Sequence, residues 1–328
     1  MIRHSVNPAR PRDLSPFESM IYPVSAEQFF EEIWGKRIMV IEGTANDTLP
    51  IISTDEFLRV LFEAGVGTPS IRYLMPGETS IERNHDAFSR LKATWQRAPS
   101  LSELASQVEG STLVFNQIAE RIQHAHKWCQ EIFKATKCAS NVNAYFGSGE
   151  GASAFGPHFD SEDVFIVQTE GEKDWLLWET PELSNAMVYK NCDPPSGPPE
   201  VTVRLTVGDI LYVPRRHWHW PKTVGNDHPS LHLTMQLTPL YAKDIWRWIE
   251  NVLHGEGAQE KNISYTLSSA EQGSLGEGIK QAMALLQEEL AKPDASSRAE
   301  LFLTIRRMRQ VFGDKSFCRR SYSAGSCS

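Results

Sequence analysis

Apolar residues recur at helical spacing in the first part of the chain, alternate with polar ones between Asn141 and Pro239, and return to helical spacing after Tyr241. The first helices are announced by Ser25-x-x-Gln28 before FFEEIW and by Ser53-x-x-Glu56 before FLRVLF. In each, a hydroxyl and a side chain three residues on can satisfy the free N–H groups of a first turn. Short β-branched runs, RIMVIEG from Arg37 and SIRYLM from Ser70, lie between these helices, and Leu101 to Lys137 reads as mainly helical around a strand-like STLVF from Ser111. The alternating stretch offers the strands NVNAYF, DVFIVQT, EKDWLLW, VTVRL, ILYVP and SLHLTMQL, separated by Gly, Pro and Asp clusters. Short strands without intervening helices predict a sandwich or barrel. Downstream, AKDIWRWIENVL, the stretch from Gly278 to Ala291 and that from Ser297 to Phe312 predict helices. The layout is an extended arm over residues 1–22, a β core domain over 23–240, a helical region over 241–315 and a loose polar tail over 316–328.

Composition narrows the class. With 41% hydrophobic and 23% charged residues among 328, the chain can bury a sizeable core. A net charge of −8 argues against nucleic acid as a direct partner, because phosphate-tracking domains carry a basic excess; it suits a basic protein or peptide. No apolar run approaches the roughly 18 residues of a membrane helix, and the first twenty residues contain no apolar stretch of the kind that directs secretion. A cytoplasmic location without membrane contact is expected. The five cysteines include no CxxC pair, which excludes a disulfide framework and the usual zinc motifs.

The ten histidines are the candidates for chemistry. His158-x-Asp160 stands at the entry to a strand, where residues two apart point the same way and can converge on one ion. A second histidine from a distant strand would complete a two-histidine, one-carboxylate set, the usual arrangement of a non-haem iron(II) oxygenase. LYVPRRHWHWPKT offers His217 and His219 for that place. The pair His124-x-His126 lies instead in a helical stretch, where residues two apart diverge by about 200° around the axis and face solvent. On EKDWLLW, Lys173 alternates with Trp175 and Leu177, so if that face is inward the lysine needs an anion beside it. On SLHLTMQL, Ser230, His232, Thr234 and Gln236 form a polar face opposite Leu231, Leu233, Met235 and Leu237, and that polar face meets either solvent or a pocket.

Taken in order, GPHFDSEDVFIVQTEGEKDWLLW and GDILYVPRRHWHWPKTVGNDHPSLHLTMQL resemble the JmjC-type cupin oxygenases, and within them the ribosomal-oxygenase branch. The similarity runs over about residues 23–240, and the opening SAEQFFEEIWGKRIMVIEG shares it. The resemblance implies a double-stranded β-helix (jelly-roll) core with helical additions at both ends. It implies that His158, Asp160 and His219 hold Fe(II), with His219 preferred to His217 because the family's ligand falls five residues after the proline of this turn, here Pro214. Where the family has glycine after Pro-Arg, this chain has Arg216. It also implies that Lys173 grips the distal carboxylate of 2-oxoglutarate, that Asn143, Tyr145 and Thr234 line the cosubstrate site, and that no catalytic residue is needed beyond the metal centre. His232, Trp218 and Trp220 are candidates for substrate contact, the tryptophans being packing groups first. The implied reaction is hydroxylation of a side chain in a protein or peptide, with succinate and carbon dioxide as coproducts. N-methyl demethylation uses the same centre, and a metal-binding cupin without oxygenase activity would have no need of a buried lysine. Homodimerisation is expected through the apolar stripe Ile245, Trp246, Trp248, Ile249 and Val252 together with the helix around Met283 to Leu290. The winged-helix module that follows the core in that branch finds no convincing counterpart after residue 254.

Overall fold

A computed structural model describes residues 1–5, 11, 13–43, 52–64, 70–74, 88–150, 152–153, 155–181, 193–224 and 228–238, with positions 287 and 291. The chain divides into a unit over Met1–Pro239 and another over Leu240–Ser328. The expected helices, dimer stripe and tail of the second unit lie outside the described residues, apart from two isolated positions.

The first unit holds the strands β1 (Ile2–Ser5), β2 (Met39–Glu42), β3 (Ile71–Leu74), β4 (Thr112–Phe115), β5 (Ala139–Gly147), β6 (Asp163–Glu170), β7 (Lys173–Pro181), β8 (Val201–Leu205), β9 (Ile210–Val213), β10 (His217–Thr223) and β11 (Ser230–Thr238). They form an eight-stranded sheet in the order β1-β2-β9-β6-β11-β5-β4-β3 and a three-stranded sheet in the order β10-β7-β8. A single antiparallel bridge from His158 to His219 adds a fourth member to the smaller sheet. With that bridge, β5-β11-β6-β9 face His158-β10-β7-β8, the two four-membered sheets of a double-stranded β-helix.

The space between the sheets is divided by chemistry. At one end Ile38, Val40, Val164, Ile166, Trp175, Leu177, Val203, Leu205, Leu211 and Val213 form an apolar cluster. Toward β5, β10 and β11 the inward residues are polar. β11 decides this, because it is a central strand between β5 and β6 and is buried on both faces. Its apolar face is enclosed along with Phe146, on which Phe57 of the helix Thr54–Glu63 stacks with 6.0 Å between ring centroids. The polar stripe of Ser230, His232 and Thr234 is therefore pocket rather than solvent.

Two differences from the sequence expectation have physical reasons. The arm is not a free extended segment: Ile2–Ser5 adds to β2 in parallel, and Pro16–Ile21 is a helix capped by Ser15 and Glu18 with proline in its first turn. The sequence expectation passed over the Ser15-x-x-Glu18 spelling of that capping box, and a four-residue edge strand, which draws its stability from its neighbour, leaves no local signal. The second is β10, since HWHWPKT is not among the strands expected from the sequence; it carries Pro221, and proline removes a ladder donor. Proline is tolerated because β10 is an edge strand, paired with β7 on one side and bridged only at His219 on the other.

Candidate metal centre and adjoining pocket

The turn before β10 brings the distant histidine to the His-x-Asp segment. Arg216 N–H donates to the Asp160 carbonyl at 2.8 Å, and His158 and His219 exchange backbone hydrogen bonds at 3.0 and 2.7 Å. The turn is braced by Asp163, fully buried, which accepts from the Tyr212 hydroxyl at 2.7 Å and from Arg215 Nη1 at 2.6 Å. Tyr212 in turn accepts from Gly35 N–H at 2.8 Å, tying this turn to the N-terminal helical segment. Arg216 adopts φ 68°, the left-handed region where glycine carries no Cβ penalty, which gives a physical reason for the family's glycine at this position. Arg216→Ala and Arg216→Gly both lose the guanidinium that lies over Phe159, but only Ala keeps the Cβ. Arg216→Gly is expected to be the more stable of the two by about 1 kcal/mol, read from urea midpoints.

His158, Asp160 and His219 each present one ligand atom, and these atoms lie within 4.8 Å of one another. His219 Nε2 and Asp160 Oδ2 are 3.6 Å apart. His158 Nδ1 lies 2.9 Å from the Gly156 carbonyl, and His219 Nδ1 lies 2.9 Å from that of His217. Carbonyls only accept, so each Nδ1 carries its hydrogen and each Nε2 keeps its lone pair for an ion. Burial, reinforced by the neighbouring His158, holds the His219 imidazole down at about 4, so it is neutral at pH 7 and needs no deprotonation to act as a ligand. His217 is not in the cluster: the ladder shifts register between His217 and His219, and the His217 ring is enclosed with Nε2 unpartnered. His124 faces Glu56 at 3.5 Å, away from this set.

Lys173, at the start of β7, is 1% exposed. Burial alone lowers its ammonium to about 7, and among the described residues no carboxylate pairs with it. Around it the row across the sheets is polar and aromatic. His232 stacks on Tyr145 at 4.9 Å and meets Trp175 edge-on at 5.4 Å. Burial first, and then the charge of Lys173, keeps His232 neutral. Burial, then the Asp160 charge, pushes the Tyr145 hydroxyl up to about 12. His232 Nδ1, Trp175 Nε1 and Thr112 Oγ1 are buried without hydrogen-bond partners. Thr234 stands opposite Asn143 on the same inner face. Asn143 divides its amide between Gln117 N–H, at 2.9 Å, and Gln236, at 3.2 Å, so its polar atoms already serve the fold.

The tryptophans go elsewhere. Trp218 packs with Phe159, 5.1 Å between ring centroids, and with Trp178, while Trp220 lies against the same cluster. Alternation along β10 puts that cluster on the face opposite His219, so the structure does not bring Trp218 and Trp220 to the metal face. Sequence reasoning passed over Arg72 on β3. Its guanidinium donates to Asn116 at 3.1 Å and lies over Phe155, whose ring meets that of His158 at 5.5 Å. A lone arginine in SIRYLM carries no signal of that placement.

Fold and site together define a double-stranded β-helix protein with a two-histidine, one-carboxylate cluster inside it. Residues 117–245 match the JmjC domain. It is 28% identical over 254 residues to "Ribosomal oxygenase 1" of Danio rerio, covering 74% of this chain and 43% of that protein. It is 33% identical over 124 residues to "Bifunctional lysine-specific demethylase and histidyl-hydroxylase NO66" of Dictyostelium discoideum, covering 37% and 23%. The chain thus spans less than half the length of these two curated relatives. Among solved structures, YcfD, a ribosomal oxygenase from Escherichia coli in complex with cobalt and 2-oxoglutarate, shares the fold with a TM-score of 0.56 at 17% identity, over 86% of this chain and 71% of that one. No helix among the described residues is long and apolar enough to cross a membrane.

Proposed function

We propose that the protein is an Fe(II)- and 2-oxoglutarate-dependent oxygenase that hydroxylates a side chain of a protein or peptide. The observation that carries this reading is the coincidence, within one barrel, of the His158–Asp160–His219 cluster and the buried, carboxylate-free Lys173. The donor set fits the metal, since two imidazole Nε2 atoms and a carboxylate on one side leave the other positions open. The orphaned polar atoms of Trp175, His232 and Thr112 fit a small, charged organic ligand, because such atoms are costly to bury unless something bonds them. When bound, iron and 2-oxoglutarate supply the oxidising chemistry, with succinate and carbon dioxide as coproducts. Lys173 neutralises the distal carboxylate, and Trp175 and His232 wall the cosubstrate off from water. Asn143, Tyr145 and Thr234 line the same cavity. The printed names of the relatives, one a histidyl-hydroxylase, support a protein substrate. The net charge of −8 suits a basic one, and the apolar stripe from Ile245 to Val252 supports a homodimer.

The test is to incubate the purified chain with Fe(II), 2-oxoglutarate and oxygen, follow succinate, and compare cell-extract proteins by mass before and after. A peptide that gains one oxygen atom is the expected result. Loss of methyl groups with release of formaldehyde would assign demethylation instead, and 2-oxoglutarate that neither binds nor turns over would leave a metal-binding cupin.

A further inference from the structure

The inner face of β11 opens toward its far end: Ser230 is 0% exposed, His232 2% and Thr234 7%, and Gln236 is partly exposed. Around that end the chain gathers amides and one guanidinium. Asn116, just past β4, and Arg72 of β3 are partly exposed as well. Arg72 shares a lateral row with Val114, Tyr145 and His232, so it belongs to the same sheet face as the residues that wall the metal site. Its guanidinium lies over Phe155, 6.0 Å from the ring centroid, and Phe155 meets His158. The hydrogen bonds already made fix what this strip still offers. An arginine only donates, so the Asn116 amide turns Oδ1 to Arg72 Nη2 at 3.1 Å and keeps its NH2. A main-chain N–H only donates, so Asn143 turns Oδ1 to Gln117 and Nδ2 to Gln236, which answers with Oε1 and keeps its NH2. Arg72 Nε is enclosed without a hydrogen-bond partner, a costly state that an acceptor from outside relieves. Each group left over is a donor, so the strip reads acceptors.

A single carboxylate does not fit the spread of these donors. They come from β11, from the end of β4 and from β3, in a sheet ordered β11-β5-β4-β3 whose neighbours stand about 4.8 Å apart. An extended peptide crossing these strands presents a carbonyl to one side about every 7 Å, and carbonyls only accept. We propose that Arg72 is a substrate-binding residue, which with the NH2 groups of Asn116 and Gln236 takes main-chain carbonyls of an extended peptide beside the residue to be oxidised. This deepens the oxygenase reading and rests on it. Such contacts set where the peptide runs past the metal and read little of its sequence.

The probe is the tryptic peptide pool of a cell extract, followed by synthetic copies of any peptide that the wild-type chain oxidises with Fe(II), 2-oxoglutarate and oxygen. Each copy is also made with one peptide bond at a time replaced by a trans-alkene, which keeps the shape and removes the carbonyl. Binding is read by anaerobic calorimetry of the full chain loaded with Fe(II) and 2-oxoglutarate. Arg72→Met is expected to weaken the parent peptide by about tenfold, in the range for a hydrogen bond to a charged group, with the 2-oxoglutarate constant unmoved. One alkene position is expected to cost the wild type a similar factor and to cost Arg72→Met nothing further, the mark of two groups in contact. Arg72→Lys keeps the charge without the fork and should show the same coupling at smaller size, so the cycle closes on either variant if the other does not fold. Unchanged peptide affinity in Arg72→Met, or losses that multiply at every alkene position, overturns the role of Arg72 and leaves the oxygenase reading standing. Equal weakening of peptide and 2-oxoglutarate overturns it too, as a general disturbance of the pocket. Coupling with the peptide's acidic side chains, read from their amide counterparts, overturns the main-chain assignment. A wild-type chain that oxidises no peptide in the pool overturns both readings.

Discussion

His158→Ala, Asp160→Ala and His219→Ala are each expected to give protein without bound iron and without turnover, whereas His217→Ala keeps its iron. The three ligand atoms lie within 4.8 Å of one another, and no other described His, Cys, Asp or Glu joins them. With one removed, two protein ligands remain to compete with water for the ion, and two-ligand sites on a protein hold ferrous iron poorly. His217 is the discriminating control. It sits two residues from His219 and is as deeply buried, but the register shift between them sets its ring apart from the cluster. Iron content after gel filtration, with succinate formation as the second reading, checks all four variants. Iron kept by His219→Ala and lost by His217→Ala would overturn the assignment within the turn.

Lys173→Ala is expected to spare the iron and to weaken 2-oxoglutarate by roughly 10- to 150-fold, the equivalent of about 1.5–3 kcal/mol for a charge-assisted hydrogen bond. Lys173→Arg should recover part of the loss, because the planar fork carries the charge but needs more room than an ammonium. Lys173→Glu should be worse than alanine, since it sets a like charge against the dicarboxylate. A pH dependence follows from the enclosure. Burial holds the free ammonium down at about 7. Below that pH the cation is already present in the empty pocket; above it, binding the dianion must take up a proton. Affinity is therefore expected to fall with rising pH, by up to about tenfold per unit above pH 7, until the raised pKa of the complex is reached. Calorimetry in buffers of different ionisation enthalpy reads the proton directly, and release instead of uptake would show that the lysine is not the group that meets the ligand. The same depression has a consequence for the empty protein. An unfolded lysine titrates near about 10.4, so between about pH 7 and 10 the unfolded chain binds more protons than the folded one, and stability rises with pH through that window.

The alternation from Asn141 to Pro239 was enough to place β5, β6, β7, β8, β9 and β11, because a strand buried in a barrel carries its two faces in its own period. His158-x-Asp160 was legible for the same reason, as two side chains of one extended segment. Lys173 was legible as an oddity, a charge on a face shared with Trp175 and Leu177. The Ser25 cap and the Ser53 capping box were local and could be read, although Gln28 does not return the bond at Ser25; the four-residue β1 and the proline-bearing β10 borrow their structure from neighbours and could not.

What the sequence by itself determined is this list of local periods and the kinds of donor they carry. The residue pattern alone left His217 and His219 open and the family's spacing after Pro214 favoured His219; the tertiary structure adds the geometry, a register shift in β10 and the bridge from His219 to His158, 61 positions before it. Only the structure decided that the polar stripe of β11 is a cavity wall, since a strand's period says that two faces differ and not what covers each of them. Burial of the apolar face on the helical side leaves Ser230, His232 and Thr234 to face the smaller sheet, across from the lysine. The gathering of Arg72, Asn116 and Gln236 on one inner face is of the same kind: the three come from β3, the end of β4 and β11, far apart in the chain, and it is sheet register, not local pattern, that brings them together.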